Sequence, residues 1–453
     1  MKKLFGTSGV RGVVGKQITP RLAIDIGSAL ATHMGNLGTV IVGKDPRTSS
    51  DMLESCLISG LLSGGCDVKR LGIVPTPALS FAVRSTKATA GIMITASHNP
   101  PEYNGIKFWE KNGMAYSPKA EKEIEMIYYL RRFRRVGWEK MGTEEKHDSL
   151  SGYISVLAKS VQLTRKYKVV VDCGNGAGSV ATPTLLRKLS CEVTSVNYRP
   201  DGLFPGRLPE PSPENLAKLC RVVKSTGSNL GIAHDGDADR VVVVDETGRI
   251  VPDDKILALV AASQVSGNNN IVVTSVDASN IVDEVVCGRG GRVVRTRVGD
   301  VNVAAEIKRT NAVFGGEPCG AWIFPSVNIS PDGPLGAAKV LELMNSSGER
   351  ISKLLEQLPD YHMNREKIPC PTVLKPKFMK IIPKRLKMEF REAIGALKID
   401  GFKLNLEDGW VLIRPSGTEP YIRITAEGRT HERASEIAEK AVTISKQAIN
   451  YIR

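Results

Sequence analysis

Ser97 and His98 sit side by side in the turn Thr95-Ala96-Ser97-His98-Asn99-Pro100, directly after an apolar run, Ala90 to Ile94, that reads as a buried strand. A hydroxyl presented on such an edge beside an imidazole suits a phosphoryl carrier. Serine becomes a useful nucleophile when a base, a metal or prior phosphorylation supplies what its own pKa does not. Lys107 lies a short way downstream. Ser, Asn and Pro are also ordinary turn formers, and His98 could simply cap or pack, so this turn takes its meaning from its company.

That company is the loop His234-Asp235-Gly236-Asp237-Ala238-Asp239-Arg240, between the apolar stretches Leu230 to Ala233 and Val241 to Val244. Carboxylates on alternate residues of a short loop converge on one hard cation, and an oxygen-only ligand set points to Mg²⁺ or Mn²⁺ over zinc. An EF-hand fails here, because Arg240 stands where glycine is required and the residues after it read as strand. A dehalogenase-like nucleophile at Asp235 would also explain two of the aspartates. Further loops carry anion-binding or sugar-binding groups. Gly6-Thr7-Ser8-Gly9-Val10-Arg11-Gly12 is shaped for close approach to an anion. Arg297-Val298-Gly299-Asp300 and Gly315-Gly316-Glu317-Pro318-Cys319-Gly320 fall beyond the carboxyl ends of apolar runs, where open parallel sheets bind ligands. Arg414-Pro415-Ser416-Gly417-Thr418-Glu419-Pro420, with Arg423 just beyond, brings hydroxyls, a glycine amide and guanidinium groups into one turn suited to a phosphate dianion.

The elements that must position these loops alternate as helix and strand for most of the 453 residues. At roughly 100–200 residues per domain, that length predicts about three or four domains. Thr19-Pro20 starts a helix through His33, followed by a strand Thr39 to Val42, a helix Ser50 to Ser63 and a strand Val68 to Leu71. Gly38 to Lys44 has P-loop spacing, but Asp45 replaces the metal-binding hydroxyl and the intervening residues read as strand. Asp172 to Ser179 approaches a dinucleotide fingerprint but lacks its third glycine and the acid after the next strand. Later units are the helix Lys255 to Gln264, strand Ile271 to Ser275, helix Ser279 to Cys287 and strand Val293 to Thr296. Successive units of similar build suggest duplication. Beyond Pro369 the pattern changes to a Lys-rich helix Pro376 to Ile394, strands Leu397 to Leu404, Gly409 to Ile413 and Tyr421 to Glu427, and a final helix from Glu432 to Ile452.

The reading is therefore three α/β domains with mixed sheets, at 1–150, 151–251 and 252–366, and a smaller C-terminal α+β domain at 367–453. The net charge of +14 favours an anionic partner. Arg131 to Arg135 reads as a solvated helix end, and an aromatic content of 5% with no recognisable module argues against nucleic acid. The eight cysteines form no C-x-x-C pair, the N-terminus lacks an apolar signal segment, and no apolar run reaches membrane-spanning length. The expectation is a cytoplasmic protein, monomer or homodimer, bound to neither membrane nor nucleic acid.

Together the Ser97 turn, the Asp235 loop, the Glu317 loop and the Arg414 loop, in that order, resemble the α-D-phosphohexomutase family over essentially the whole chain. The resemblance implies four domains around a central cleft and a phosphosugar mutase working through a phosphoserine and a hexose 1,6-bisphosphate. By it, Ser97 is the phosphoserine, and Mg²⁺ is held by Asp235, Asp237, Asp239 and the Ser97 phosphate. Glu317 grips sugar hydroxyls, with Cys319 where the family usually has serine. Arg414, Ser416, Gly417, Thr418 and Arg423 take the phosphate of a phosphorylated hexose. Arg11, Lys107 and Arg240 fall on motif positions that stabilise or move charge. Either His98 or Lys107 could relay the hydroxyl proton, with Lys107 favoured if burial and cationic neighbours lower its pKa. The Val298-Gly299-Asp300 turn is more similar to phosphoglucosamine mutases than to phosphomannomutase/phosphoglucomutase members. Asp300 is then expected to favour a 2-ammonium sugar. A metal-dependent phosphohydrolase is the more distant alternative.

Overall fold

Runs of β-branched residues form the strands, and four sheets organise them in a computed structural model that describes residues 4–6, 9–267, 270–417 and 419–453. The first sheet comprises β1 (Val10–Val13), β2 (Thr39–Lys44), β3 (Asp67–Ile73), β4 (Ala90–Ile94), β5 (Tyr103–Glu110) and β6 (Glu144–Lys146), in the order β1-β5-β4-β2-β3-β6. The second comprises β7 (Lys168–Asp172), β8 (Glu192–Val196), β9 (Leu230–Ala233) and β10 (Val242–Val244), in the order β10-β9-β7-β8. In the third, β11 (Ile271–Ser275), β12 (Arg292–Thr296), β13 (Phe314–Gly316) and β14 (Trp322–Ile323) run β12-β11-β13-β14.

One unit recurs in all three. Two parallel strands are joined by a third that lies parallel on the far side of the first, and a fourth runs antiparallel beside the third. The fourth strand follows the third through a short loop that emerges at the third strand's carboxyl end. In the three domains that loop is the Ser97 turn (β4 to β5), the Asp235 loop (β9 to β10) and the Glu317 loop (β13 to β14). The repeat suggested by element order is thus present in topology, and it puts each chemistry-bearing motif at the same place in its domain.

The C-terminal sheet is antiparallel throughout: β15 (His362–Pro369), β16 (Gly395–Leu397), β17 (Phe402–Leu406), β18 (Gly409–Pro415) and β19 (Tyr421–Gly428), in the order β15-β19-β18-β17-β16. Helices Lys375–Glu389 and His431–Ile452 cover it, and its apolar core is its own. By contrast, one continuous core runs from the first domain through the second and third. The C-terminal domain meets the third through a small apolar cluster of Val276, Trp410 and Leu412. Beside it, buried Lys403 donates from Nζ to the Val276 carbonyl at 3.2 Å, and Glu427 accepts from the Asn280 N–H at 3.0 Å.

Several sequence expectations need correction. Val10–Val13, read as part of a loop, pairs antiparallel with β5, because its alternating buried pattern fits an edge strand. The strand expected over Leu397 to Leu404 is broken by positive φ at Asp400 and Gly401, which turn β16 back into β17. The Lys-rich helix stops at Glu389 rather than Ile394. A boundary at 366/367 would cut β15, which starts at His362 and pairs along its length with β19.

Asp332 ties the second and third domains. Its Oδ1 caps the helix Gly333–Ser347 by accepting the Leu335 N–H at 2.9 Å, and also accepts the Tyr153 hydroxyl at 2.7 Å from the helix Leu150–Lys159. Asp332→Ala removes the cap and strands a buried hydroxyl, so a loss of about 2–3 kcal/mol is expected in chemical denaturation.

Candidate active site

Ser97 has a left-handed backbone, φ +52°, in a turn whose conformation is imposed by hydrogen bonding. Its N–H donates to Thr95 Oγ1 at 2.8 Å, and Thr95 Oγ1 donates to Asp45 Oδ2 at 2.6 Å. Arg47, wholly buried, spends every guanidinium N–H on this turn. Nε donates to Asp45 Oδ2 at 3.0 Å, Nη1 to the Pro100 and Tyr103 carbonyls, and Nη2 to the Ser97 and Asn99 carbonyls. An αL serine costs of order 1–3 kcal/mol and persists only where its surroundings over-determine it. Arg47 supplies that surrounding.

The Asp235 loop meets this turn face to face. Gly236 lets it do so, since a Cβ there would lie 2.6 Å from the Ser97 carbonyl oxygen. Ser97 Oγ donates to Asp235 Oδ2 at 2.6 Å across the domain boundary and lies 3.3 Å from His98 Nδ1. Carboxylate oxygens of Asp235, Asp237 and Asp239 gather within 4.8 Å of one another. Asp237 Oδ2 accepts from Thr76 Oγ1 at 2.7 Å and from Lys107 Nζ at 2.9 Å, and Lys107 lies 3.5 Å from Asp239.

Burial and mutual repulsion push Asp235 well above the usual carboxylate range and Asp239 to about 6. Burial acts the same way on Asp237, but Lys107 and Thr76 outweigh it and hold Asp237 low. One oxygen of each carboxylate, Oδ1 in all three, is buried without a hydrogen-bond partner. Such oxygens are costly unless a cation occupies the point they share. The donor set, all hard oxygen, fits a divalent metal.

Lys107 departs from expectation. Burial works against its charge, but Asp237 and Asp239 prevail and hold the ammonium above the ordinary lysine value rather than below it. His98 is the opposite case. Burial and the cations Arg240, Arg11 and Lys107 lower it to about 3, which leaves a neutral imidazole next to the Ser97 hydroxyl. Arg11, on β1, donates from Nη1 to Asn99 Oδ1 at 2.7 Å and so reaches the same turn. Thr7, Ser8 and Thr418 lie outside the described residues.

The third loop brings Glu317 into the cleft, where its Oε1 accepts the Gly299 N–H at 2.7 Å. That bond places Glu317 beside Asp300, the first residue of the helix Asp300–Thr310. Cys319 is exposed in the same loop. In the C-terminal domain Arg414 and Arg423 are direct cross-strand partners, so both guanidinium groups rise from one face of the β18–β19 hairpin. Arg414 reaches Asp400 at 2.7 Å and Asp277, from the third domain, at 3.5 Å. Arg423 donates to Glu419 at 2.9 Å. Lys375 shapes the turn by donating to the Ser416 and Glu419 carbonyls at 2.7 and 2.5 Å.

Sequence reasoning missed the supports. Arg47 lies just beyond the P-loop-like stretch Gly38 to Asp45, and an Asp-x-Arg at a strand end is a usable signal for it. The segment 198–211 was passed over entirely. It crosses from the second domain to the first, where Gly202 packs against the backbone of Pro46 to Thr48 and the Phe204 ring lies 5.2 Å from the Arg47 guanidinium. Arg207 in the same segment is saturated as Arg47 is, donating to Asp172 Oδ2 and to the Leu208, Pro209, Asp172 and His234 carbonyls. Glu210 follows, facing both Arg240 and His98.

Glu317 is raised to about 8 by burial, with Asp300 and Asp277 adding to it. Its folded pKa exceeds the ordinary 4.5, so its contribution to stability is complete below about pH 4.5 and declines as pH rises towards about 8. Urea midpoints should therefore fall across that window, and Glu317→Gln should flatten the decline.

The comparisons agree with this layout. The chain matches the models of phosphoglucomutase/phosphomannomutase domains I, II, III and the C-terminal domain at residues 2–135, 151–248, 252–361 and 374–444. It is 49% identical to the "Probable phosphoglucosamine mutase" of Methanothermobacter thermautotrophicus, covering 97% of this chain and 96% of that one. It is 48% identical to the protein of the same name from Methanopyrus kandleri, with both chains covered in full. A crystal structure of a phosphoglucomutase/phosphomannomutase family protein from Burkholderia thailandensis superposes with a TM-score of 0.89 at 29% identity, covering 98% of this chain and 97% of that one.

Proposed function

The chain belongs to the phosphoglucomutase/phosphomannomutase family of the α-D-phosphohexomutases and is an intramolecular phosphotransferase, and from that premise we propose that it interconverts glucosamine 6-phosphate and glucosamine 1-phosphate. The observation that carries the catalytic part is the Ser97 hydroxyl, 2.6 Å from Asp235 and set against carboxylates with unpartnered oxygens. Asp235, Asp237 and Asp239, joined by a phosphate on Ser97, would hold Mg²⁺. When bound, that ion neutralises charge on the phosphoryl group in transfer.

In this reading phosphorylated Ser97 gives its phosphoryl group to the free hydroxyl of the sugar phosphate. The P–O bond to Ser97 breaks, a P–O bond to the sugar forms, and the proton of the sugar hydroxyl ends on the released Ser97 Oγ, beside which His98 Nδ1 lies at 3.3 Å. The hexose 1,6-bisphosphate then turns round, Ser97 Oγ takes the other phosphoryl group, the P–O bond to that sugar oxygen breaks, and the serine proton passes to the oxygen released. Lys107 stays charged between Asp237 and Asp239 and contributes positive potential to the transferring group. Arg414, Ser416, Gly417, Thr418 and Arg423 hold the phosphate that is not reacting, and Arg11 and Arg240 stabilise charge during reorientation. Glu317 and Cys319 contact the sugar hydroxyls. The enzyme works in the cytoplasm as a monomer or homodimer.

Two observations support the amino sugar. Relatives matched over nearly their whole length are named for it. In addition, Asp300 stands beside Glu317 with its negative field reaching that carboxyl, Asp239 and Lys107, a setting that suits a 2-ammonium group.

The test is a ³¹P NMR time course with Mg²⁺, a trace of glucose 1,6-bisphosphate and each hexose 6-phosphate in turn. A 1-phosphate resonance should appear fastest with glucosamine 6-phosphate and without free phosphate; stoichiometric inorganic phosphate would indicate a hydrolase. Ser97→Ala should abolish turnover, and undiminished turnover would refute its carrier role. Asp300→Asn should lower kcat/KM for glucosamine phosphate about tenfold more than for glucose phosphate, the worth of one charged contact. Equal losses would remove Asp300 from substrate choice.

A further inference from the structure

Segment 198–211 does more than brace the two catalytic loops. Its backbone is immobilised at three points: Gly202 against the first domain, Phe204 over Arg47, and Arg207 saturated by Asp172 and backbone carbonyls. The Glu210 carbonyl is itself fixed by Asn215 Nδ2 at 2.8 Å. Arg207 has no N–H left for Glu210, so the carboxylate is presented outward into the cleft. There its Oε1 lies 3.7 Å from Arg240 Nη1 and its Oε2 lies 3.8 Å from His98 Nε2. Among the described residues Arg240 has one other carboxylate within ion-pair distance, Asp239, 4.0 Å from Nε, and Asp235 adds to the negative field around it. Both distances to Arg240 are those of ion pairs rather than hydrogen bonds, so this guanidinium is balanced in charge while its donors remain available.

That combination has a consequence for a site that must bind anions and let them go. A cation facing a phosphate dianion with no counter-ion holds it tightly, and tight uniform binding of substrate, bisphosphate and product lowers KM without raising kcat. We propose that Glu210 is a positioning residue that acts as the resident counter-ion of Arg240, competing with the phosphates of the sugar and the bisphosphate for the guanidinium so that the intermediate can let go and turn. Arg240 pairs with Glu210 when the cleft is empty and moves to phosphate when the cleft is filled. Glu210 sits on a fixed strap, so it stays behind as the anion that recaptures Arg240.

The inference rests on the mutase reading, and its test keeps the two apart. Binding of inorganic phosphate and of glucose 1,6-bisphosphate to the full chain with Mg²⁺ is measured by calorimetry, beside steady-state mutase kinetics, for the wild type and for Glu210→Gln and Glu210→Asp. Glu210→Gln keeps the size and removes the charge, and should bind both anions about fivefold more tightly, the scale of one partly exposed ion pair. Its KM and kcat should fall together as bisphosphate and product release slow. Glu210→Asp retains the charge and should stay near the wild type in both measurements. Unchanged or weaker anion affinity in Glu210→Gln, or a Glu210→Asp variant that behaves like it, would overturn the proposal. Wild-type protein that binds phosphate but isomerises no hexose phosphate would overturn the mutase reading and leave the phosphate-affinity comparison to decide on Glu210.

Discussion

Asp235, Asp237 and Asp239 bring three carboxylates to one buried point, and the surrounding structure is arranged to meet that cost. Like charges at such separation cannot all ionise without compensation. Lys107 compensates part of it from β5, Thr76 and Ser97 donate hydrogen bonds, and the remaining inward-facing oxygens define a place for a cation. Three of these supports, Lys107, Thr76 and Ser97, come from the first domain, whereas the aspartates come from the second. The domain interface is therefore an electrostatic necessity as much as an apolar contact.

A pair of buried guanidinium groups, one in each domain, holds the two loops that meet at the domain boundary. Arg47 organises the Ser97 turn and Arg207 the entry to the Asp235 loop, each partnered by one aspartate and otherwise by carbonyls. A buried arginine with every N–H used leaves no donor unsatisfied, which is the condition under which such a charge is tolerated. Phe204 then connects the two by covering Arg47 from the second domain. In the third domain Arg295 donates from Nη1 and Nη2 to the carbonyls of Ser275, Ala278 and Ser279 in the loop after β11, with Asp283 as its ion-pair partner.

The C-terminal domain stands apart in energetic terms. Its core is separate, and it touches the third domain through a few side chains around Trp410, Lys403 and Glu427. Arg414 bridges this junction through Asp277. The cross-strand arginines Arg414 and Arg423 rise from one face of the β18–β19 hairpin.

Local sequence determined the parts of this protein that local forces govern. The strands Ala90–Ile94, Leu230–Ala233 and Ile271–Ser275 and the helix Ser50–Ser63 were legible because apolar runs and turn residues bound them. The aspartate loop was legible because alternating carboxylates have no cheap structural explanation, and the arginines of the last hairpin because a turn does not require them. Tertiary structure alone decided what depends on distant residues. Lys107 is held above the ordinary lysine range because the second domain places Asp237 and Asp239 against it. Asp400 and Gly401 turned an expected single strand into two. Arg207 and Glu210 carry no motif of their own, and Arg47 only an Asp-x-Arg at a strand end. Their roles arise from carbonyls, rings and charges brought to them by chain segments far away in sequence, and hydrogen-bond saturation and charge balance exist only once those segments have met.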